Sequence, residues 1–137
     1  MKLRKSGNSR KNLEIDSVKL AYLCANKLYE NLAEDIHILD LQGLTNISDF
    51  FVIASANSKI HLKALAEEIE ELFRDIDLPK YHIEGMEALN WVLADAYDVI
   101  VHLFMPDARQ YYDIESYWGD APVEILKSSD KNISTIE

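Results

Sequence analysis

Cysteine occurs once in 137 residues, at position 24, which excludes an intramolecular disulfide and any Cys-x-x-Cys metal knuckle. Long apolar runs are missing as well. Nothing approaches the roughly 18 residues of a membrane span, and no secretory apolar stretch stands near the start. The expected compartment is reducing and soluble, with the short basic leader favouring the cytoplasm over an organelle matrix. Glycine is sparse, and the four present, at 7, 43, 85 and 119, are isolated. Neither a P-loop nor a dinucleotide fingerprint can be assembled from them. His37, His61, His82 and His102 are scattered without the i,i+4 spacing of a zinc helix, so no metal site and no bound cofactor are expected.

Positive charge is scarce outside the N-terminus. Five of the 14 Lys/Arg lie within residues 1–12, where there is no acid, leaving nine against all 24 Asp/Glu. Such a body repels nucleic-acid phosphates and suits a basic partner. The basic head, 1–13, has no apolar periodicity and reads as a flexible leader. What the chain does have is a 48% hydrophobic fraction, enough for one real core in one domain of ordinary size.

Helical spacing runs from Glu14 to Ala33, through Val18, Ala21, Ala25, Leu28 and Leu32, with Asp16 or Asn12 as cap. Cys24 lies on its apolar side as core filler. Ile36–Leu41 reads as a short strand. Phe50 to Ala54 is apolar on both faces, which marks a central strand. Ser55, Asn57 or Ser58 can cap a second helix with a stripe of Ile60, Leu62, Leu65, Ala66, Ile69, Leu72 and Phe73. Its acid run, Glu67, Glu68, Glu70 and Glu71, is a solvated face. Tyr81–Ile83 adds a short strand, Pro106 opens a short helix and Tyr111–Trp118 gives another helical turn or two. The segment from 123 to 137 has weak periodicity and is expected to be a loose tail. The order of elements indicates an α/β domain bordering on α+β, with a small mixed sheet and flanking helices over 14–122.

The stretch Trp91 to Phe104, WVLADAYDVIVHLF, reads as two strands and a tight turn. With Ala96 and Tyr97 as a two-residue loop, Asp95 faces Asp98, Leu93 faces Ile100 and Trp91 faces His102. Alternation puts Val92, Ala94, Val99, Val101 and Leu103 on one wholly apolar side. The other side carries Trp91, Leu93, Asp95, Asp98, Ile100, His102 and Phe104. That mixed side is either a covered face with polar groups at its rim or a partly open docking surface. Trp91 is either core or an aromatic anchor of the kind that supplies much of the energy of small interfaces. Tyr111, Tyr112, Tyr117 and Trp118 form a second aromatic cluster. Asp95 and Asp98, with Asp49, could hold Mg²⁺ for phosphoryl or nucleotidyl transfer. The Gly-Ser loop and Asp-x-Asp pair of such an enzyme are absent. A salt bridge to a basic protein needs fewer missing parts, and no catalytic residue is assigned.

Several ordered motifs carry a resemblance over Val18 to Pro122. They are DFFVIASANSKIHLKALAEEIEE at Asp49–Glu71, Gly85, Trp91-Val92-Leu93, Asp95, Asp98 to Phe104, and YYDIESYWGDAP at Tyr111–Pro122. The chain resembles the ribosomal silencing factor RsfS family, also called Iojap-like or YbeB-like. The resemblance implies a nucleotidyltransferase-like fold without catalysis and without a cofactor. It also implies binding to the large ribosomal subunit through ribosomal protein fourteen, with ribosomal RNA an incidental neighbour. Blocked joining of the small subunit, repressed translation and a homodimer when free follow from the same resemblance, as does the absence of a membrane partner. The alternatives are a large-subunit assembly factor and a divergent metal-dependent nucleotidyltransferase. Carried residue by residue, the protein-binding set is Trp91, Leu93, Asp95, Asp98, His102, Phe104, Tyr112 and Asp113. Asp49, Phe51, Ser55 and Lys63 are further members or supports. Two positions depart from the family pattern, which places glycine at Tyr97 and at Ala56. A two-residue turn of type I′ would strain Tyr97, so the pairing of the two strands is open there.

Overall fold

A computed structural model describes residues 15–126. The expected leader and the tail beyond residue 126 lie outside the described residues. Helix α1 (Ser17–Glu30) is capped by Asp16, whose side chain accepts from the Lys19 amide at 2.8 Å. Its buried apolar stripe is Leu20, Ala21, Cys24, Ala25 and Leu28. Val18 and Leu32 fall outside it, Leu32 because it follows the helix end in a left-handed conformation at φ 68°. Helix α2 (Lys59–Asp75) is capped by Ser58 and buries Leu62, Leu65, Ala66, Ile69, Leu72 and Phe73. Ile60, counted in that stripe from its spacing, lies in the first turn and is exposed.

Both helices cover the same face of a six-stranded sheet. Its strands are β1 (Glu34–Asp40), β2 (Phe50–Ser55), β3 (His82–Glu84), β4 (Trp91–Asp95), β5 (Val99–Phe104) and β6 (Val123–Leu126). The spatial order is β3-β4-β5-β2-β1-β6, with β2 and β5 parallel and every other pair antiparallel. The run of apolar residues in β2 is buried at every position, as a central strand requires. Cys24 is fully buried, and burial pushes its thiol up to about 12, so it is packing material rather than a nucleophile.

Two sequence expectations are corrected. The folded part does not stop at Pro122: Val123–Leu126 pairs antiparallel with β1, and Leu126 is buried beneath α1. Four residues are too few to show periodicity, and their long-range partner is what makes them a strand. The hairpin turn is also displaced. Ala96 donates to the Val99 carbonyl at 2.9 Å, so the loop is Tyr97–Asp98, and Asp95 faces Ile100, Leu93 faces His102 and Trp91 faces Phe104. Tyr97 sits at φ 71° with Asp98 donating back to the Ala96 carbonyl, the i to i+2 bond of a γ-turn. The partner shifts by two residues, an even number, so every side chain keeps its expected face. Ala56, in contrast to Tyr97, has no positive φ and is fully buried, so the departure from glycine there is accommodated.

Leu126→Ala is expected to cost about 2 kcal/mol, the usual order for truncating a buried leucine, measured by equilibrium urea unfolding. An unchanged midpoint would mean that β6 does not hold the sheet edge. Tyr97→Gly removes a positive-φ penalty of about 1 kcal/mol, so the thermal midpoint should rise. A fall would mean that the Lys80 ammonium, 5.8 Å over the Tyr97 ring, outweighs the strain.

Candidate protein-docking surface

The sheet face away from α1 and α2 is closed differently across its width. Over β5, β2 and β1 a second apolar cluster forms from Leu39, Phe51, Ile53, Ile100 and Phe104. Ala108, Ile114 and Trp118 of the C-terminal segment pack on it from α3 (Pro106–Tyr112), α4 (Ile114–Tyr117) and the residue after α4. Towards the other edge the cover thins. In β4, Trp91, Leu93 and Asp95 are half-buried while their neighbours Val92 and Ala94 are fully buried on the helix side. In β3, His82 and Glu84 lie directly opposite Asp95 and Leu93 and are exposed. Sequence spacing marked β3 only as a strand. Its register adds His82 and Glu84, whose side chains are hydrogen-bonded at 2.6 Å, to the rim of the mixed face.

Trp91 is the centre of an aromatic stack. Its ring lies 5.0 Å from Phe104 at 26° and 4.8 Å from Tyr112, and its indole N–H donates to His102 Nδ1 at 3.2 Å. His102 lies 4.4 Å from Phe51, which meets Trp118 edge-on. The expected set therefore divides. Trp91, Leu93, Asp95 and Tyr112 reach the surface, Tyr112 with 52% of its area exposed. His102 and Phe104, expected as contacts, are 4% and 0% exposed and support Trp91 from below. Phe51 and Ser55 are also buried supports.

The acidic residues have internal tasks. Asp95 Oδ1 accepts from the Tyr97 amide at 2.8 Å, fastening the strained turn. The Asp98 carbonyl accepts from the Asp49 and Phe50 amides and from Ser48 Oγ, tying the loop to the start of β2. Asp49 Oδ2 accepts from Ser17 Oγ at 2.8 Å and so anchors α1. Asp113 is exposed in the left-handed conformation at φ 44° and turns α3 into α4. Among the described residues no cluster of three His, Cys, Asp or Glu side chains is arranged to hold a metal.

Lys63 does not join this face. It stands exposed on α2 and meets Glu67 at 3.7 Å. The lysine that matters to Trp91 is Lys59, which the spacing analysis missed. Its Nζ donates to the Ala88 and Leu89 carbonyls and to Asn90 Oδ1 at 2.7–3.0 Å, holding the segment that leads into β4. Gly85 is required in the same segment. At φ 95°, a Cβ there would lie 2.2 Å from the Trp91 carbonyl oxygen.

His102 accepts from Trp91 at Nδ1, so the neutral ring carries its proton on Nε2. That nitrogen finds no partner among the described residues. Protonating Nδ1 would set two donors against each other, and burial lowers the imidazole to about 4. Between pH 6.5 and 4 the unfolded chain takes up a proton that the folded imidazole refuses. Stability should fall on acidification through that window, by about 3 kcal/mol for this group. His102→Phe removes the effect, so the stability gap between wild type and variant should narrow from pH 7 to pH 4 in urea titrations. A constant gap would show His102 to be titrating normally.

The family described as Ribosomal silencing factor during starvation matches residues 14–136 of the chain. Ribosomal silencing factor RsfS of Halalkalibacterium halodurans is 38% identical over 109 residues, covering 80% of this chain and 93% of that one. Its counterpart in Bacillus subtilis is 41% identical over 94 residues, covering 69% and 80%. A crystal structure of a protein from Chromobacterium violaceum superposes with a TM-score of 0.74 at 33% identity, covering 77% of this chain and 88% of that one. The chain belongs to the RsfS family of ribosomal silencing factors.

Proposed function

We propose that the protein docks on the large ribosomal subunit through ribosomal protein fourteen and sterically prevents the small subunit from joining, which represses translation. The observation that carries this reading is the half-buried Trp91, stacked on Phe104 and flanked by the exposed Tyr112 at the thinly covered edge of the sheet. An indole presented on a preformed aromatic base costs little ordering on binding, which is how rigid anchors gain affinity. Around it stand Leu93, Asp95 and Glu84. The chain as a whole carries a formal charge of −10, which favours a basic protein surface over exposed RNA phosphate. Ribosomal RNA is then a neighbour and not a read sequence. The mechanism is competition for one surface and uses no cofactor and no catalytic step. The free protein is a cytoplasmic homodimer in this reading.

Among the described residues no helix is long and apolar enough to cross a membrane. Purified large subunits should retain the wild-type protein and lose much of their ability to reassociate with small subunits. Trp91→Ala should bind about 30-fold more weakly, the equivalent of 2 kcal/mol for a central aromatic, with circular dichroism confirming its fold. Binding without any effect on joining would replace silencing by an assembly role. Undiminished binding of Trp91→Ala would remove Trp91 from the interface.

A further inference from the structure

The short helices over the mixed face raise a question of what holds them. α3 has seven residues and α4 four, both below the length at which a helix is stable by itself, and neither contains a fully buried residue. Their apolar hold on the sheet consists of the partly buried Ala108 and Ile114, with Trp118 just beyond α4. Beside these lies a polar clamp. Arg109 Nε donates to Glu115 Oε1 at 3.1 Å and Nη2 to Oε2 at 3.0 Å, a two-pronged pair that closes the α3–α4 corner on itself. Arg109 Nη1 donates to the Asp35 carbonyl at 2.8 Å and to Ser55 Oγ at 2.9 Å, which fixes the corner to the sheet. His37 Nδ1 lies 2.5 Å from Glu115 Oε2 and adds a third attachment.

The anchor points are specific. Asp35 sits at φ 50° in the irregular register between Glu34 and His37, where the β1–β2 ladder is interrupted and a carbonyl is available. Ser55 is the last residue of β2. Through the ladder, Ser55 pairs with Phe104, and Phe104 pairs with Trp91. Clamp and anchor therefore occupy one transverse row, two strand spacings or about 10 Å apart. α3 carries both Arg109, fastened at one end of the row, and Tyr112, three residues on, stacked at the other against Trp91.

We propose that Arg109 and Glu115 are positioning residues for docking: their pair holds Tyr112 against Trp91 and so sets the shape of the aromatic anchor, without itself meeting the partner. The assignment rests on the docking function above. The clamp's effect on Trp91 is open to measurement without any ribosome.

The chain has two tryptophans, so a Trp118→Phe background leaves Trp91 as the sole tryptophan, read by exciting at the red edge of the indole band where the tyrosines do not absorb. In that background Glu115→Gln should shift Trp91 emission to the red and raise its quenching by acrylamide, as Tyr112→Ala should. The double variant should do no more than either alone, because both act through the same contact. Arg109→Lys, which keeps the charge and loses the fork, should give a smaller change in the same direction. Large-subunit binding should weaken about tenfold in Glu115→Gln, or 1.4 kcal/mol. Unchanged quenching in both folded clamp variants would overturn the proposal, as would additivity with Tyr112→Ala. Unfolding of both variants would also overturn it, since the pair would then hold the domain and not Tyr112. Failure of the unmodified protein to bind large subunits would count against the docking function alone, with the fluorescence arm still deciding the clamp.

Discussion

Strict alternation along β4 and β5 is the constraint on which the rest of this molecule depends. One backbone must seal a core under two long helices and, through the intervening residues, build a second face of different character. Val92, Ala94, Val99, Val101 and Leu103 meet the first demand with small and branched side chains that α1 and α2 can lie upon. Trp91, Leu93, Ile100, His102 and Phe104 meet the second. Any register slip by an odd number of residues would exchange the two sets and place an indole and an imidazole under α2. The turn is therefore free to vary only in even steps of pairing.

That freedom is used. The loop falls on Tyr97–Asp98, and the strain at Tyr97 is met by the Asp95 carboxylate and by the three donors on the Asp98 carbonyl. The aspartates that attract notice as a candidate acidic pair are thus largely turn chemistry. Asp95 keeps a surface position while serving it. Asp98 is tied into the start of β2 through its own backbone.

What could be read without coordinates follows from range. The central strand, both long helices, the short sets of residues from which Asp16 and Ser58 serve as their caps, and the two faces of the hairpin all arise from patterns within a few residues. Those were legible. The strand Val123–Leu126, the division of the aromatic set into anchor and support, and the clamp of Arg109 depend on partners far away in the chain. Arg109 and Asp35 are 74 residues apart. Nothing local to Arg109 marks it, because a lone arginine on a short helix ordinarily reads as solubilising. His102 was expected at the surface because its face was correctly identified. That Phe51, Trp91 and Phe104 close over it is a matter of which strand lies next to which.

If this face docks a partner as proposed, it cannot be held in shape by more apolar burial, since any side chain laid across Trp91 beyond Tyr112 would occupy the partner's place. A directional polar attachment at the far end of the same row avoids the conflict. An arginine–carboxylate fork restrains position and orientation together, whereas apolar contact restrains mainly distance. Its net contribution to stability is modest, because desolvating both groups offsets much of their attraction. Glu115 shows how fully the site is committed to the charged form: the hydrogen bond with His37, and then Arg109, hold its carboxyl down to about 2 although burial acts in the opposite sense. Removing one partner leaves the other charge partly desolvated without its counterpart, a larger loss than the pair's net contribution. The α3–α4 corner is thereby kept in one place by a directional polar device and not by further apolar cover. This suits the docking role proposed for the surface, which would depend on where its aromatic groups stand more than on how tightly they are packed.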